Sequence, residues 1–210
     1  MKLCRPLSAP LARLVALLTV SAGLLGGCGN SGEPWHATDM KGTMPDLSFT
    51  MTEAGNGQQV SAKDFKGKIT LLYFGYTFCP DVCPTTLANM GTIIKKLGPD
   101  ADQVRALFVT VDPDRDTLPV LKSYAALFGP QVVGLRGTPD QLAALARRYR
   151  VSYSVTPESD GHPYEVTHSS AVYVFDKTGA LRLLISSLST AEPDIDGSVE
   201  DLKRLIGEGA

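Results

Sequence analysis

The chain has 210 residues, of which 43% are hydrophobic and 20% are charged, and these proportions are typical of a globular protein. This length supports a core that can fold without disulfide bonds, and no internal repeat or second linker is visible, so we predict one domain. The formal net charge of −2 and the lack of a basic stripe argue against a nucleic-acid partner.

The first residues have the layout of a bacterial secretory signal peptide. Basic residues precede an apolar run at 14–25, which is shorter than the ~20 residues that a membrane-spanning helix needs. The run ends in Leu-Gly-Gly-Cys, which resembles the lipobox of bacterial lipoproteins. The resemblance implies that residues 1–27 are a lipoprotein-type signal peptide and that Cys28 is lipidated and becomes the new N-terminus. The alternative is an ordinary signal peptide with an incidental cysteine.

We therefore expect a membrane-anchored lipoprotein of the bacterial cell envelope, with its domain facing the periplasm or the outside of the cytoplasmic membrane. Residues 29–39 are polar and glycine-rich, which is typical of a flexible linker. We predict a tether over residues 28–41, in which His36 is solvated. The folded domain is then predicted to cover residues 42–210.

Hydrophobic patterns and turn residues predict alternating strands and helices along this domain. The predicted strands cover residues 47–52, 58–60, 68–77, 105–111, 132–135, 171–175 and 181–185, and the predicted helices cover residues 85–97, 118–128, 138–149 and 198–206. Ser198 and Asp201 are spaced like a capping box at the start of the last helix. The first two strands form a β-hairpin around a glycine-bearing turn, and the remaining order is typical of a mixed α/β sheet with helices on both faces. We predict a thioredoxin-like fold with an N-terminal β-hairpin extension, while periodicity alone leaves another doubly wound α/β fold open.

Two cysteines follow directly after the central predicted strand. Cys79 and Cys83 are four residues apart, and Pro84 places both near the N-terminus of the next helix. The helix dipole and free backbone N–H groups there favour thiolates. A lowered thiol pKa suits disulfide exchange and also the binding of a soft metal ion. The three intervening residues let the pair close as a redox-active disulfide or converge on one ion.

A histidine is the natural third ligand, since two thiolates alone seldom complete a stable site. His168 directly precedes the predicted strand 171–175, and in a thioredoxin-like sheet that loop lies beside the cysteine turn. Two thiolates and one imidazole suit Cu(I), and the same set can hold Cu(II). Zinc is disfavoured because closed structural zinc sites usually take four ligands. We assign His162 to a polar loop without a metal role.

Three motifs resemble those of the Sco/SenC family, and the similarity spans residues 42–206. They are Tyr-Phe-Gly-Tyr-Thr-Phe-Cys-Pro-Asp-Val-Cys-Pro at 73–84, Val-Asp-Pro-Asp-Arg-Asp-Thr at 111–117, and His-Ser at 168–169. The resemblance implies a thioredoxin-like domain that binds one copper ion through Cys79, Cys83 and His168. It also implies a role in building the dinuclear copper centre of respiratory cytochrome c oxidase, with a copper-receiving oxidase subunit, a copper donor protein and a thiol reductant as partners.

Thr167 and the acidic stretch 112–117 need a separate interpretation. The family often has an aspartate before the histidine, whereas this chain has Thr167, which removes the expected carboxylate partner of the imidazole. Residues 112–117 begin with the aspartate spacing of an EF-hand but lack its glycine and its final glutamate, so we exclude calcium. The resemblance implies that this stretch serves partner recognition near the copper site.

Three functions are consistent with these residues. The first is a copper metallochaperone, which is not an enzyme in the usual sense. The second is a membrane-anchored thiol–disulfide oxidoreductase that reduces the cysteines of a copper-receiving partner, and this function does not require His168. The third is a redox or copper sensor of the envelope.

Overall fold

The computed structural model describes residues 33–159 and 161–208. The chain divides into two compact units, residues 1–34 and 35–210, and only the second is described below. The predicted signal peptide and Cys28 lie outside the described residues. Among those residues, no helix combines the length and hydrophobicity needed to cross a membrane.

In the described part of the second unit there are ten strands and four α-helices. The strands are β1 Thr38–Asp39, β2 Thr50–Glu53, β3 Gln59–Ser61, β4 Ile69–Gly75, β5 Val104–Thr110, β6 Val132–Arg136, β7 Tyr153–Thr156, β8 Glu165–His168, β9 Val172–Phe175 and β10 Leu181–Ile185. The helices are α1 Val82–Lys96, α2 Leu118–Ala126, α3 Pro139–Arg148 and α4 Ile195–Glu208, with 3₁₀ helices at Ala62–Phe65 and Gly98–Gln103.

Eight of the strands form one mixed sheet in the order β1-β10-β9-β4-β5-β6-β2-β3. The central pairs β4–β5 and β5–β6 are parallel, and the outer pairs are antiparallel. The predicted N-terminal hairpin is β2–β3, and it joins the sheet through the pairing of β2 with β6. Strands β7 and β8 form a separate antiparallel pair.

The sheet separates two hydrophobic cores, because successive side chains of a strand point to opposite faces. On β4, Leu71 and Tyr73 pack with residues of α1, α2 and α4, whereas Leu72 and Phe74 pack with residues of α3. Every residue of β4 is buried. This double coverage explains the continuous apolar run that predicted a central strand.

The last helix begins earlier than predicted, and its capping box is wrong. Helix α4 starts at Ile195, where the Asp194 side chain accepts from the backbone N–H of Gly197. Ser198 lies inside the helix and its hydroxyl donates to the carbonyl oxygen of Asp194. The buried carboxylate of Asp201 has a different role, which concerns the N-terminal segment.

This unit begins at Trp35, earlier than the predicted domain boundary at residue 42. The Asp201 carboxylate accepts from the backbone N–H groups of His36 and Ala37 at 3.1 and 2.8 Å. The Trp35 ring lies against the Arg204 guanidinium at 3.8 Å. Strand β1 pairs with β10. The end of the predicted tether is therefore part of the sheet through β1, and α4, some 160 residues later, supplies the acceptors for the two N–H groups that precede this strand.

Strands β7 and β8 were not predicted. Their side chains alternate between exposed and half-buried, so the segments lack the apolar run of the central strands. The pairing aligns Tyr153 with His168 and Ser154 with Thr167. The hairpin thus carries the candidate histidine ligand at the end of a strand rather than in a loop.

Candidate metal centre

The two cysteines lie at the end of β4, where the chain turns from the sheet into α1. Strand β4 ends at Gly75 and α1 begins at Val82, so Cys79 lies in the turn and Cys83 in the first helical turn. Pro84 is also in the first turn of α1, where its missing N–H removes no helical hydrogen bond. Both sulfurs therefore lie at the helix N-terminus, as the spacing predicts.

His168, the last residue of β8, reaches the same turn. Its Nε2 lies 3.1 Å from Cys83 Sγ, and the backbone N–H of Cys83 donates to Cys79 Sγ over 3.4 Å. The three ligand atoms lie within 4.8 Å of one another, and both cysteines are free thiols. The structure thus brings together all three residues singled out from the sequence.

The other two histidines have different surroundings. His162 lies in a loop and forms an isolated backbone bridge with Ser159. His36 was expected to be solvated, but its ring contacts the carboxylates of Asp194 and Glu200 at 3.6 and 3.1 Å. In the part of the chain that the structure describes, only the Cys79–Cys83–His168 group brings three or more metal-ligating side chains together.

The two sulfurs differ in acidity. Burial opposes ionisation of Cys79, but the backbone N–H groups of Asp81 and Cys83 donate to its sulfur and outweigh that effect, so the pKa of Cys79 lies below its ordinary value. Burial raises the pKa of Cys83 to about 12, so this thiol keeps its proton. The turn holds one sulfur that ionises readily and one that ionises when a metal ion replaces its proton.

The imidazole is oriented as a ligand. Burial lowers the pKa of His168, so the ring is neutral. Its Nδ1 lies 3.0 Å from the carbonyl oxygen of Ser169. A carbonyl oxygen can only accept, so Nδ1 carries the proton and the Nε2 lone pair faces Cys83.

The carboxylate that Thr167 replaces is therefore not needed to orient the imidazole. The Ser169 carbonyl oxygen takes that role, and backbone carbonyls commonly orient metal-ligating histidines. The Thr167 hydroxyl forms a hydrogen bond of 2.8 Å with Ser154 Oγ instead.

Aromatic rings and one close backbone approach surround the ligands. The rings of Tyr73 and Tyr76 meet the His168 ring edge-on, with centroids 6.0 and 5.9 Å away. A Cβ atom at Gly75 would lie 2.7 Å from the Phe108 ring and 3.0 Å from Cys83 Sγ, so only glycine fits there. A cavity of about 280 Å³ opens beside Cys79 and His168 and gives access to the site.

The acidic motif at 112–117 supports the cysteine turn from within. Asp116 is fully buried and accepts from the backbone N–H of Thr77 at 3.0 Å and from its hydroxyl at 2.5 Å. The Thr110 hydroxyl donates to the same carboxylate over 2.6 Å. Since Thr77 lies two residues before Cys79, Asp116 holds the turn to the end of β5.

Asp112 is equally buried and connects the turn to the histidine hairpin. It accepts from Arg115 Nε at 2.5 Å and from the Tyr164 hydroxyl at 2.7 Å. The Arg115 guanidinium lies 3.7 Å from the Tyr164 ring centroid and 4.9 Å from that of Phe78. The expected use of this motif in partner recognition is wrong for Asp112 and Asp116, because their carboxylates are buried and occupied within the protein.

Sequence analysis missed the roles of Arg115, Tyr164 and Tyr73. Arg115 lies inside the motif at 111–117, so the motif itself was the available signal. Tyr164 lies just before β8, in a polar stretch with no pattern to single it out. Tyr73 was assigned to the apolar run of β4, whose pattern does not distinguish it from the neighbouring core residues.

Comparisons with known proteins agree with this geometry. A family model described as SCO1/SenC matches residues 38–206. The mitochondrial SCO2 homologue of Bos taurus is 34% identical over 197 residues, which cover 88% of this chain and 73% of the bovine protein. The mitochondrial SCO2 homologue of Mus musculus is 40% identical over 125 residues, and the match covers 59% of this chain and 49% of the mouse protein.

Solved structures show the same fold. The structure of ScoI from Bradyrhizobium japonicum with copper bound matches with a TM-score of 0.67 at 38% identity, covering 76% of this chain and 98% of that one. The solution structure of apo Sco1 from Thermus thermophilus matches with a TM-score of 0.71 at 34% identity, covering 83% of this chain and 99% of that one.

The sheet order and the thiol-bearing turn at the start of α1 define a thioredoxin-like protein with an N-terminal hairpin extension. The match over residues 38–206 then shows which thioredoxin-like proteins it is related to. The chain belongs to the SCO1/SenC family.

Proposed function

We propose that Cys79, Cys83 and His168 bind one copper ion per chain, and that the protein is a copper metallochaperone. The acceptor is the copper centre of respiratory cytochrome c oxidase, whose assembly the protein assists. The observation that carries this proposal is the convergence of two sulfurs and one imidazole nitrogen within 4.8 Å. This soft donor set suits Cu(I) and can also hold Cu(II). Copper is cargo here, so the protein is not an enzyme in the usual sense.

The acid–base state of the three ligands supports loading without rearrangement of the imidazole. The lowered pKa of Cys79 favours the thiolate, and the neutral His168 ring already faces the site. When copper binds, it displaces the proton of the Cys83 thiol, and this proton passes to solvent. The cavity beside Cys79 lets an acceptor ligand approach the ion, so transfer can proceed by ligand exchange.

An anaerobic Cu(I) titration of the reduced fragment starting at Gly29 tests the site. The wild type should bind one ion, and Cys79→Ser, Cys83→Ser and His168→Ala should each weaken binding by at least tenfold. His162→Ala is the matched control, since this histidine lies in a loop outside the cluster. Tight stoichiometric binding by His168→Ala would contradict the three-ligand site.

The assembly role needs a test in cells. We expect deletion of the gene to lower the copper content of the oxidase, and expect restoration by the wild type but not by His168→Ala. The partners would be an oxidase subunit that receives copper, a copper donor and a thiol reductant. Normal oxidase copper after deletion would count against the role while leaving copper binding intact.

A second candidate is a thiol–disulfide oxidoreductase acting on the cysteines of a copper-receiving partner. The opposed pKa shifts of Cys79 and Cys83 favour it, because an ionised sulfur beside a protonated one suits attack followed by disulfide closure. The His168→Ala variant separates the two functions. Disulfide reduction should survive this change, whereas copper transfer should not.

The cellular location is also a proposal. The lipobox-like sequence at residues 25–28 supports lipidation of Cys28 and anchoring to a membrane of the bacterial envelope, with the domain outside the cytoplasm. Mass spectrometry of the mature N-terminus should show the acyl groups. A Cys28→Ser variant should lose these groups and leave the membrane fraction.

A further inference from the structure

We propose that the surface around the metal centre, formed by residues 76–84, 111–117 and 153–168, is the docking face for the protein that receives copper. The geometry and charge of this docking face fit a partner that carries basic residues around an apolar recess. The inference rests on the proposed copper transfer, since it gives the surface chemistry of the acceptor, and its test lets the two fail separately.

An exposed aromatic side chain directly precedes Cys79. Phe78 is 58% exposed. Among the described residues, the other exposed large hydrophobic side chains are Val120 and Leu127, which lie in α2 and at its C-terminal end. A partner that reaches an ion at Cys79 must also contact Phe78, because the two residues are adjacent in the turn.

The Phe78 ring is held in place before any partner binds. The Arg115 guanidinium lies 4.9 Å from the centroid of this ring and 3.7 Å from that of Tyr164. The same guanidinium is bonded to the buried Asp112 carboxylate. A side chain held in this way loses little conformational freedom on binding, and aromatic residues that fill a pocket on the partner carry much of the binding energy of protein interfaces. Phe78 is therefore suited to anchor a partner.

The cavity beside Cys79 and His168 adds an apolar wall to the docking face. The wholly or largely apolar side chains that line it are Tyr76, Pro80, Val82 and Val166. Protein interfaces commonly have an apolar centre of this kind inside a polar rim. A partner seated there also shields the copper ion from water during ligand exchange.

The charges of the docking face are strongly unbalanced. The whole chain has 20 basic and 22 acidic residues, whereas the three segments of the docking face contain one arginine and no lysine. That arginine, Arg115, is already paired with Asp112. The exposed carboxylates of Asp81, Asp114 and Glu165 form no ion pair within the described structure. The docking face therefore presents free negative charge around its apolar centre.

The three free carboxylates are spread over all three segments. Asp81 lines the cavity, and Asp114 directly precedes Arg115. Glu165 lies on the same side of β8 as Thr167, which also lines the cavity. Such charges attract a basic partner and repel an acidic one. They disfavour contact with a second copy of the docking face and with an anionic lipid surface, so a basic acceptor protein is the partner that fits.

The test measures how fast copper passes from the loaded protein to the purified, copper-depleted oxidase subunit of the same organism. We expect Phe78→Ala to lower the second-order rate constant about tenfold. Leu127→Ala, which removes another exposed apolar side chain, should leave it unchanged. Slower transfer cannot come from a weakened metal site, because a weaker site releases copper faster. Transfer to a small neutral chelator, which needs no docking, should not slow in Phe78→Ala.

Ionic strength tests the charges. The wild-type rate constant should fall about tenfold from low to high salt, because salt screens the attraction between the docking face and a basic partner. A triple variant of the docking face should be slower at low salt and lose most of this dependence; it is Asp81→Asn, Asp114→Asn and Glu165→Gln. A matched triple variant outside the docking face should keep the dependence; it is Asp39→Asn, Asp100→Asn and Asp102→Asn.

Transfer at the wild-type rate by Phe78→Ala would overturn this inference alone. Transfer that becomes faster with salt, or that both triple variants slow equally, would also overturn it alone. A wild type that binds copper without delivering it to the subunit would overturn the proposed acceptor and this inference together. A wild type that binds no copper would overturn the proposed function at its first step, and the inference with it.

Discussion

At the scale of single residues, the candidate site requires a glycine at position 75 as well as its three ligands. Gly75 ends β4 where the backbone passes between the Phe108 ring and Cys83 Sγ. A methyl group there would overlap both neighbours, and a packed core resists such overlap.

We predict that Gly75→Ala lowers the unfolding free energy of the metal-free protein by about 1–3 kcal/mol and weakens copper binding, because the new methyl group displaces Cys83. Urea denaturation and copper titration measure the two effects. Gly207→Ala is the control, since it lies in α4 with open space around it and should be neutral or stabilising. Unchanged copper affinity in Gly75→Ala would show that the sulfur tolerates the displacement.

The neutral state of His168 predicts a pH dependence. Burial lowers its pKa, so between that pKa and the ordinary value of about 6.5 the unfolded chain binds more protons than the folded protein. The unfolding free energy of the metal-free protein should therefore fall as the pH drops below about 6.5 and should level off above it. His168→Gln should flatten this slope in urea unfolding curves, whereas His162→Ala should retain it. An unchanged slope in His168→Gln would assign the effect to other groups.

At the scale of elements, the metal centre is assembled from three pieces of chain that are distant in sequence. The β4–α1 turn supplies the sulfurs, and the β7–β8 hairpin supplies the imidazole. The segment after β5 joins them, because Arg115 lies between Phe78 of the turn and Tyr164 of the hairpin while bonded to the buried Asp112. This segment thus links the turn that supplies the sulfurs to the hairpin that supplies the imidazole.

We predict that Arg115→Met costs about 2–3 kcal/mol of unfolding free energy, because it leaves the buried Asp112 carboxylate with a single side-chain donor. Tyr164→Phe should cost about 1 kcal/mol, since it removes one hydrogen bond but keeps the ring. Both should weaken copper binding through the loss of the link between turn and hairpin. Arg182→Met, which breaks ion pairs with Asp176 and Glu208, should cost stability without changing copper affinity.

At the scale of the whole molecule, the N-terminal segment belongs to the fold. The Asp201 carboxylate binds two consecutive backbone N–H groups, at His36 and Ala37, and β1 extends the sheet beyond β10. Residues 36–39 are therefore held by hydrogen bonds from the domain itself.

We predict that Asp201→Asn lowers the unfolding free energy by about 1–3 kcal/mol, because an amide group would place a donor against one of the two N–H groups. Hydrogen exchange should become faster at residues 36–39, while copper affinity stays unchanged. Glu200→Gln, at the exposed contact with His36, should cost less than about 1 kcal/mol. Unaltered exchange at residues 36–39 in Asp201→Asn would show that the segment is held by other contacts.

The sequence alone determined the succession of helices and strands along the chain from β2 onward, apart from β7 and β8, and the three candidate ligands. The reason is local. The hydrophobic patterns of β4, α1 and the β9–β10 hairpin each match the periodicity of either a strand or a helix, and few chemical functions use a Cys-x3-Cys spacing. Only the tertiary structure decided that β7 and β8 pair, that Asp112 and Asp116 face inward, and that the fold begins at Trp35. The β7–β8 pairing is short-range, but its side chains alternate between exposed and half-buried and carry no apolar run. The other two depend on partners distant in the chain: Tyr164 meets Asp112 across 52 positions, and His36 meets Asp201 across 165. Such long-range pairings arise from the packing of finished elements, so no local pattern records them.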